Sequence, residues 1–301
     1  MTAQTVLVVS NHRDFAADQV ISLINQRPDW SVERWNTETL MSDIPNWEPD
    51  QPPLPSNIRS VWLRQFLPDA QPTRTVAEVD DFLVRREQWR TRLELLTESA
   101  AKWMNPLFES RRAENKLIQL RTASRVGLNV PPTLVTNSRN EATQWAASRG
   151  SFVVKTVASG YFPFSDQAFT FTTDLDEALT YGDHHWAQQP VIVQQRVAPR
   201  TDIRVFVVED AVFGASTVAP GTDWRLHASD TTWEPWPVPE TIAERSKALV
   251  RAMGLTYGAL DFASDASETW FLECNQAGEF AFIDRPLALG VTKAIAKTLC
   301  T

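Results

Sequence analysis

Two short runs, 258–262 (GALDF) and 270–276 (WFLECNQ), constrain this chain more than any other part of it. Strands place residues i and i+2 on one face. Glu273 and Asn275 therefore point the same way, with Leu272 and Cys274 turned into packing. Asp261 faces opposite to Leu260 and Phe262, and the polar segment 263–269 (ASDASET) between the runs predicts a hairpin. Such a hairpin can gather two carboxylates and an amide oxygen, hard oxygen ligands of the kind magnesium takes beside nucleotide phosphates. The alternative is an ordinary antiparallel hairpin with solvated acids on its outer face.

A chain of 301 residues with 43% hydrophobic content can bury sizeable cores and predicts two or three lobes. Net charge is −8 and no block of lysines or arginines occurs, so the basic footprint of a nucleic-acid binder is missing. Two cysteines, Cys274 and Cys300, can build neither a metal cage nor a disulfide framework. No apolar stretch reaches the ~20 residues that span a bilayer. The start lacks the pattern of a signal peptide and opens on a strand-like Val6-Leu-Val-Val9. The expectation is a soluble protein of a reducing compartment, the cytoplasm, with no membrane partner.

The first 40 residues read strand, helix over 15–26 and strand over 30–35, with another strand at 60–63. That α/β alternation predicts a small doubly wound lobe. A proline-rich connection over 44–55 cannot be helix or central strand. Helical periodicity runs from 76 to about 102, then over 114–126, where Gly127 closes the helix. Ser138 with Glu141, and Asp174 with Glu177, mark further helix starts. Strands are predicted at 152–156 and 191–194. From Asp202 the pattern turns antiparallel, with strands at 203–208 and 211–217 around a turn at Glu209-Asp210. A helix over 240–253, the hairpin and a closing helix over 287–299 complete the reading. We divide the chain at 1–105, 106–190 and 191–301.

Several side chains could carry chemistry. Lys155 ends an apolar β run beside the small-residue turn 157–161, where a lysine can hold a phosphate as a point charge. Lys116 stands one turn into its helix after Asn115. Gln194-Gln195 ends a buried strand, where polar atoms could meet a base or ribose. Asp202-Ile-Arg204 puts an acid and a guanidinium on one strand face, and Asp223-Trp-Arg225 repeats the pair if extended. Arginine binds carboxylate or phosphate bidentately. Taken singly, each of these also fits an exposed lysine, a strand leaving the core, or a surface ion pair worth little. Adjacent His184-His185 diverge and do not chelate and are expected in a loop, and Cys274 packs. The 12 tryptophans mark cores or a peptide groove without choosing between them.

In order, these elements resemble the ATP-grasp superfamily over about residues 105–285. The run Asn115-Lys116 to Pro131-Pro-Thr133 is similar to the entry of its central domain. Lys155 matches the strand lysine, Val193-Gln194-Gln195 the interdomain strand, and Asp261, Glu273 and Asn275 the C-terminal hairpin. The resemblance implies a mixed α/β (α+β) ATP-grasp fold: an N-terminal preATP-grasp lobe, a central lobe and a C-terminal lobe built on an antiparallel sheet. It also implies that ATP lies between the latter two lobes, with Lys116 and Lys155 on its phosphates and Gln194-Gln195 near adenine and ribose. Asp261, Glu273 and Asn275 would hold magnesium. Arg196 stands where many members carry glutamate shortly after the hinge glutamine.

Val130-Pro-Pro-Thr-Leu-Val-Thr-Asn137, Lys155-Thr, Asp202-Ile-Arg204, Asp223-Trp-Arg225 and Glu273-Cys-Asn-Gln-Ala-Gly-Glu-Phe280 resemble the microviridin-type (graspetide) peptide maturases, although Glu279 stands where glutamine is expected. Those enzymes cross-link ribosomally made precursor peptides, leader plus core, through side-chain esters or amides. The resemblance implies that Asp202, Arg204 and Arg225 address the acceptor carboxylate, which reacts as an acyl phosphate. It also allows a homodimer. Two other readings fit nearly the same motifs: a ligase joining a small-molecule acid to an amine or amino acid, and a nucleotide-binding scaffold without catalysis.

Overall fold

A computed structural model of the chain describes residues 3–39, 46–65, 76–147, 149–158, 172–198, 200–218, 231–265 and 267–301. Three sheets organise it. The first is built from β1 (Gln4–Ser10), α1 (Phe15–Ile24), β2 (Trp30–Asn36), β3 (Ile58–Leu63), α2 (Val76–Glu94) and β4 (Lys102–Met104). Its strand order is β2-β1-β3-β4 and every pairing is parallel. Parallel strands are covered on both faces and read as apolar runs, and β1 is buried from Thr5 to Ser10.

Two helices follow, α3 (Leu107–Ala113) and α4 (Lys116–Arg125). The second sheet comes from β5 (Thr133–Thr136), α5 (Arg139–Ala146), β6 (Phe152–Thr156), β7 (Thr173–Asp174), α6 (Leu175–Ala178), α7 (Asp183–Ala187) and β8 (Val191–Gln195). Its order is β5-β8-β6-β7, all antiparallel. The third sheet is antiparallel, β11-β10-β9-β12-β13. Its elements are β9 (Thr201–Val208), β10 (Ala211–Thr217), β11 (Glu234–Pro235), α8 (Glu240–Ala252), β12 (Tyr257–Ser264), β13 (Thr269–Asn275), α9 (Ala281–Leu287) and α10 (Val291–Leu299).

Apolar packing divides the molecule differently from the order of the chain. α10 lies between the first and third sheets, so that Val6, Val8 and Val20 share one core with Phe206, Phe280 and Ile295. The opposite face of the third sheet is covered by α8 and by α4, whose Ala123 is fully buried against it. The second sheet has its own small core around Phe152, Trp186 and Val193. By hydrogen bonding β8 belongs to this central sheet, one strand beyond the boundary drawn at residue 190. By packing, α3 and α4 go with the third sheet instead of the central one.

Several expectations change. The long helix ends at Glu94, and 102–104 is a strand that hydrogen-bonds β3. The closing helix starts at Val291 and not at 287, because Ala288 and Gly290 have positive φ and separate it from α9, which ends at Leu287. Asp284 in the first turn of α9 then accepts from the backbone N–H of Val291 (3.0 Å) and Thr292 (2.8 Å), capping α10. Ser138 caps α5 as predicted, accepting from Glu141 N at 3.3 Å, whereas Asp174 makes no capping bond and pairs with Arg196. His184 and His185 lie on α7, their rings 6.1 Å apart, so they diverge on a helix and not in a loop.

Strand β13 carries a β-bulge. Asp261 pairs with Glu273 but Phe262 pairs with Phe271, leaving Leu272 as the extra residue. The bulge shifts the alternation, so Phe271 and Cys274 are buried while Leu272 is only partly covered. Glu273 and Asn275 keep the shared outward face that simple alternation predicts.

Candidate active site

The third sheet brings Arg204, Asp261 and Glu273 into one row, because Asp261 is the direct cross-strand partner of both others. Arg204 closes a two-pronged bond on Asp261: Nε donates to Oδ1 at 2.7 Å and Nη2 to Oδ2 at 2.8 Å. Nη1 donates more weakly to the Glu279 carbonyl at 3.4 Å, and the guanidinium lies 5.9 Å from the Phe282 ring. Burial works against the charge on Arg204. The charge and hydrogen bonds of Asp261, with Glu273 further off, outweigh it and raise the pKa. The arginine stays a cation whose plane is set by Asp261.

Glu273 faces Lys116, whose Nζ stands 3.7 Å from Oε2. Asn115 fixes the lysine's position by capping α4: its Oδ1 accepts from Leu117 N (3.0 Å) and Ile118 N (3.1 Å). One turn on, the buried Gln119 locks the helix to the site. Its Nε2 donates to the Cys274 carbonyl (2.8 Å) and its Oε1 accepts from the Cys274 N–H (2.9 Å). β13 is an edge strand whose outer backbone groups lack a ladder partner there. The glutamine amide takes that place between Glu273 and Asn275. The Cys274 thiol points into the core, where burial, then the charges of Asp261 and Glu273, push it up to about 12. It packs, as the sequence predicts, and is no nucleophile.

Asn275 begins a turn in which its Oδ1 accepts from Ala277 N at 3.1 Å. The turn folds back so closely that a Cβ on Gly278 would stand 2.5 Å from that of Ala259, a distance only glycine avoids. Behind it lies the buried Arg64, at the end of β3. Arg64 donates to Asp14 Oδ2 (3.0 Å) and the Ala277 carbonyl (3.0 Å), pairs with Glu279, and sits over Trp62 and Phe280. Burial alone would raise the Asp14 carboxyl. Arg64 and the bonds from Ser10 and Ala17 N hold it below its ordinary value. Glu279, where the resemblance leads one to expect glutamine, therefore tethers this turn to the N-terminal lobe.

The central sheet supplies Lys155. Its Nζ donates to Gln194 Oε1 at 2.9 Å, and Gln194 Nε2 donates to Thr133 Oγ1 at 3.0 Å. Gln194 is thus a buried support for Lys155. Gln195 points to the opposite face and donates to the Arg149 carbonyl at 3.2 Å. The two glutamines sit back to back, so one face of β8 takes each of them. Asp202 shares a strand face with Arg204 and accepts from Arg200 Nε at 2.8 Å. Asp223 and Arg225, and the end of the turn after Lys155, lie outside the described residues.

The residues fit a divalent ion in part. Asp261, Glu273 and Asn275 present hard oxygens on one face, and a carboxylate held by arginine on one side keeps acceptor capacity on the other. Among the described residues no three His, Cys, Asp or Glu side chains cluster as a ready-made metal cage. The set rests on two carboxylates and an amide, with phosphate oxygens left to complete it.

Sequence reading missed Gln119 and Arg64. Gln119 had a signal: it is a polar residue four positions before Ala123, on the stripe of α4 that packs into the core.

No family model and no curated protein matches the chain. Solved structures do. Over 99% of this chain and 99% of the other, it superposes with a TM-score of 0.82 on the macrocyclase MdnC from Microcystis aeruginosa MRC, solved with precursor peptide MdnA, at 22% identity. The RiPP-associated ATP-grasp ligase of Chryseobacterium gregarium, in complex with ADP and a leader and core peptide, gives 0.83 at 22% identity over 99% and 96%. The ATP-grasp ligase PsnB, complexed with a phosphomimetic variant of its minimal precursor, Mg and ADP, gives 0.78 at 18% identity over 100% and 99%. The chain has the ATP-grasp fold, from its first sheet to its last helix, as the resemblance implied.

Proposed function

We propose that this protein is an ATP-dependent ligase that activates Asp or Glu side chains of a ribosomally made precursor peptide and closes them into macrocyclic esters or amides. The observation that carries the reading is the row Arg204–Asp261–Glu273 with Lys116 beside it, which Lys155 on a separate sheet would face. Paired cations and carboxylates across two lobes suit a triphosphate brought to a carboxylate. The likeness in fold to ligases solved with ADP, Mg and precursor peptides supports the same choice.

In this reading a substrate carboxylate oxygen attacks the γ-phosphorus of ATP, the bond to the β-phosphate oxygen breaks, and ADP leaves. The peptide then carries an acyl phosphate. A substrate Ser or Thr hydroxyl, or a Lys amine, attacks the acyl carbon and loses its proton, and phosphate departs. The peptide has lost one water per ring. Activation is needed because hydroxide is a poor leaving group. Arg204, fixed in plane by Asp261, orients the acceptor carboxylate, and Asp202 and Arg225 complete that end of the site. Lys116 and Lys155 hold phosphate oxygens from opposite walls, with Gln194 supporting Lys155 and Gln195 near the nucleotide's far end. Magnesium held by Asp261, Glu273 and Asn275 would neutralise phosphate charge. Holding both reactants does much of the rest.

Lys155→Ala and Asn275→Ala should each abolish ATP-dependent dehydration of the cognate peptide in a mass-spectrometric assay. Normal turnover by either variant sinks the assignment. A precursor rich in Thr or Ser and Asp or Glu, encoded beside this chain, is the substrate to use. Turnover of amino acids alone would favour the small-molecule ligase.

A further inference from the structure

A cleft of about 590 Å³ lies between the start of α1 and helix α9, lined by Arg13, Phe15, Gln19, Glu279, Phe282 and Arg285 among others. Its size is that of a ligand site. Two large apolar side chains stand open in it, Phe15 at 75% exposure and Phe282 at 44%. Its charges are unbalanced. The acids Asp14 and Glu279 are both tied to Arg64. Arg13 and Arg285 are exposed, and among the described residues their guanidinium groups make no hydrogen bond or ion pair. In a chain of net charge −8 this is a local cationic, aromatic surface.

The cleft adjoins the proposed site. Phe282 packs against Arg204, and the Glu279 carbonyl accepts from it. Anything seated here is separated by Phe282 and Glu279 from the guanidinium proposed to orient the acceptor carboxylate.

We propose that this cleft binds the stretch of the peptide substrate flanking the reacting side chain, reading a second acidic residue through Arg13 and Arg285 and an apolar one through Phe15 and Phe282. The inference deepens the ligase reading and rests on it for the identity of the peptide as substrate. The complementarity itself is independent of the chemistry. Rim charges of this kind steer an acidic partner and set register more than they set affinity.

The test uses the full chain and two fluorescein-labelled hexapeptides, one alternating Asp with Phe and one alternating Asn with Phe, titrated by anisotropy with Mg and ADP present. The acidic peptide should bind at least about tenfold more tightly than the amide one. Arg13→Gln with Arg285→Gln should remove about that factor, two ion pairs' worth, and Phe15→Ser should weaken both peptides. These side chains are exposed, so folding is not at stake, and ADP affinity measured in parallel should not change. Equal binding of the two peptides, or undiminished acidic binding by the double variant, overturns the proposal. So does tripolyphosphate that displaces the peptide and itself loses affinity in the double variant, which would assign the cleft to free oxyanions. Wild-type protein that fails to bind ADP breaks the ligase reading, while the peptide titrations still decide the cleft.

Discussion

The central sheet and the body formed by the other two sheets, proposed above to hold opposite walls of one site, are built very differently. In the body, α10 is shared by both sheets and Arg64 ties the N-terminal lobe to the turn after β13. Its site residues hold one another: Arg204 on Asp261, Lys116 beside Glu273, Gln119 on Cys274. The central sheet has a separate small core, and its Lys155 donates to Gln194 within the same sheet. The wall proposed to hold the metal and the acceptor is organised by buried polar bonds. The wall proposed to grip the phosphates rides on a unit with few apolar ties to the rest. Small, weakly attached units open at lower free energy than shared cores.

The largest test of this contrast is Asp261→Asn. It leaves buried Arg204 without its counter-ion, and breaking such a pair costs about 3–5 kcal/mol. Urea unfolding of the whole body should shift by that amount. By contrast Lys155→Ala should leave the midpoint nearly unmoved while ending turnover. Phe152→Ala removes a large side chain from the central core, at a cost of about 3 kcal/mol or more. Hydrogen exchange should quicken in β5–β8 and stay unchanged in β9–β13; a uniform loss of protection would show that the two regions do not separate.

Gln119→Leu should cost about 2 kcal/mol, since it strands the buried N–H and C=O of Cys274. It should also weaken Mg-ATP binding through Lys116 and Glu273, which a purely structural role would not do. The smallest expected effect is on pH dependence. Asp14 has a folded pKa below its ordinary 3.8, so its contribution is present above that value and lost as pH falls through the folded one. Glu114 has the opposite sign: burial raises it above its ordinary 4.5, so protonating it favours the fold as pH drops. Urea midpoints taken from pH 6 to pH 3 should fall less steeply in Asp14→Asn than in wild type. Parallel slopes would remove Asp14 from the account.

Local patterns were legible and distant ones were not. The hairpin, the strands on either side of Glu209-Asp210 and the cap at Ser138 all follow from neighbours in sequence. Only the inward placement expected of Leu272 failed, because it is the extra residue of a bulge that no glycine marks. The strand at 102–104 continues a helical pattern and becomes a strand only by pairing with β3. Lys155, Lys116 and the carboxylates were singled out because their types suit phosphate and metal chemistry. Gln119 and Arg64 were not, since their partners lie 155 and 213 positions away.

The shared core around α10 has a consequence for biosynthesis. The apolar side of β1, Val6 and Val8, shares its core with Val20 and Ile24 of α1 and with Ile295, which lies 289 positions after Val6. Until α10 has left the ribosome, the first sheet stays greasy on one side, and such long-range closure is slow. A cell making this protein must shield that surface throughout elongation, so its yield should depend on holdase chaperones more than on the strength of any bond in the finished molecule.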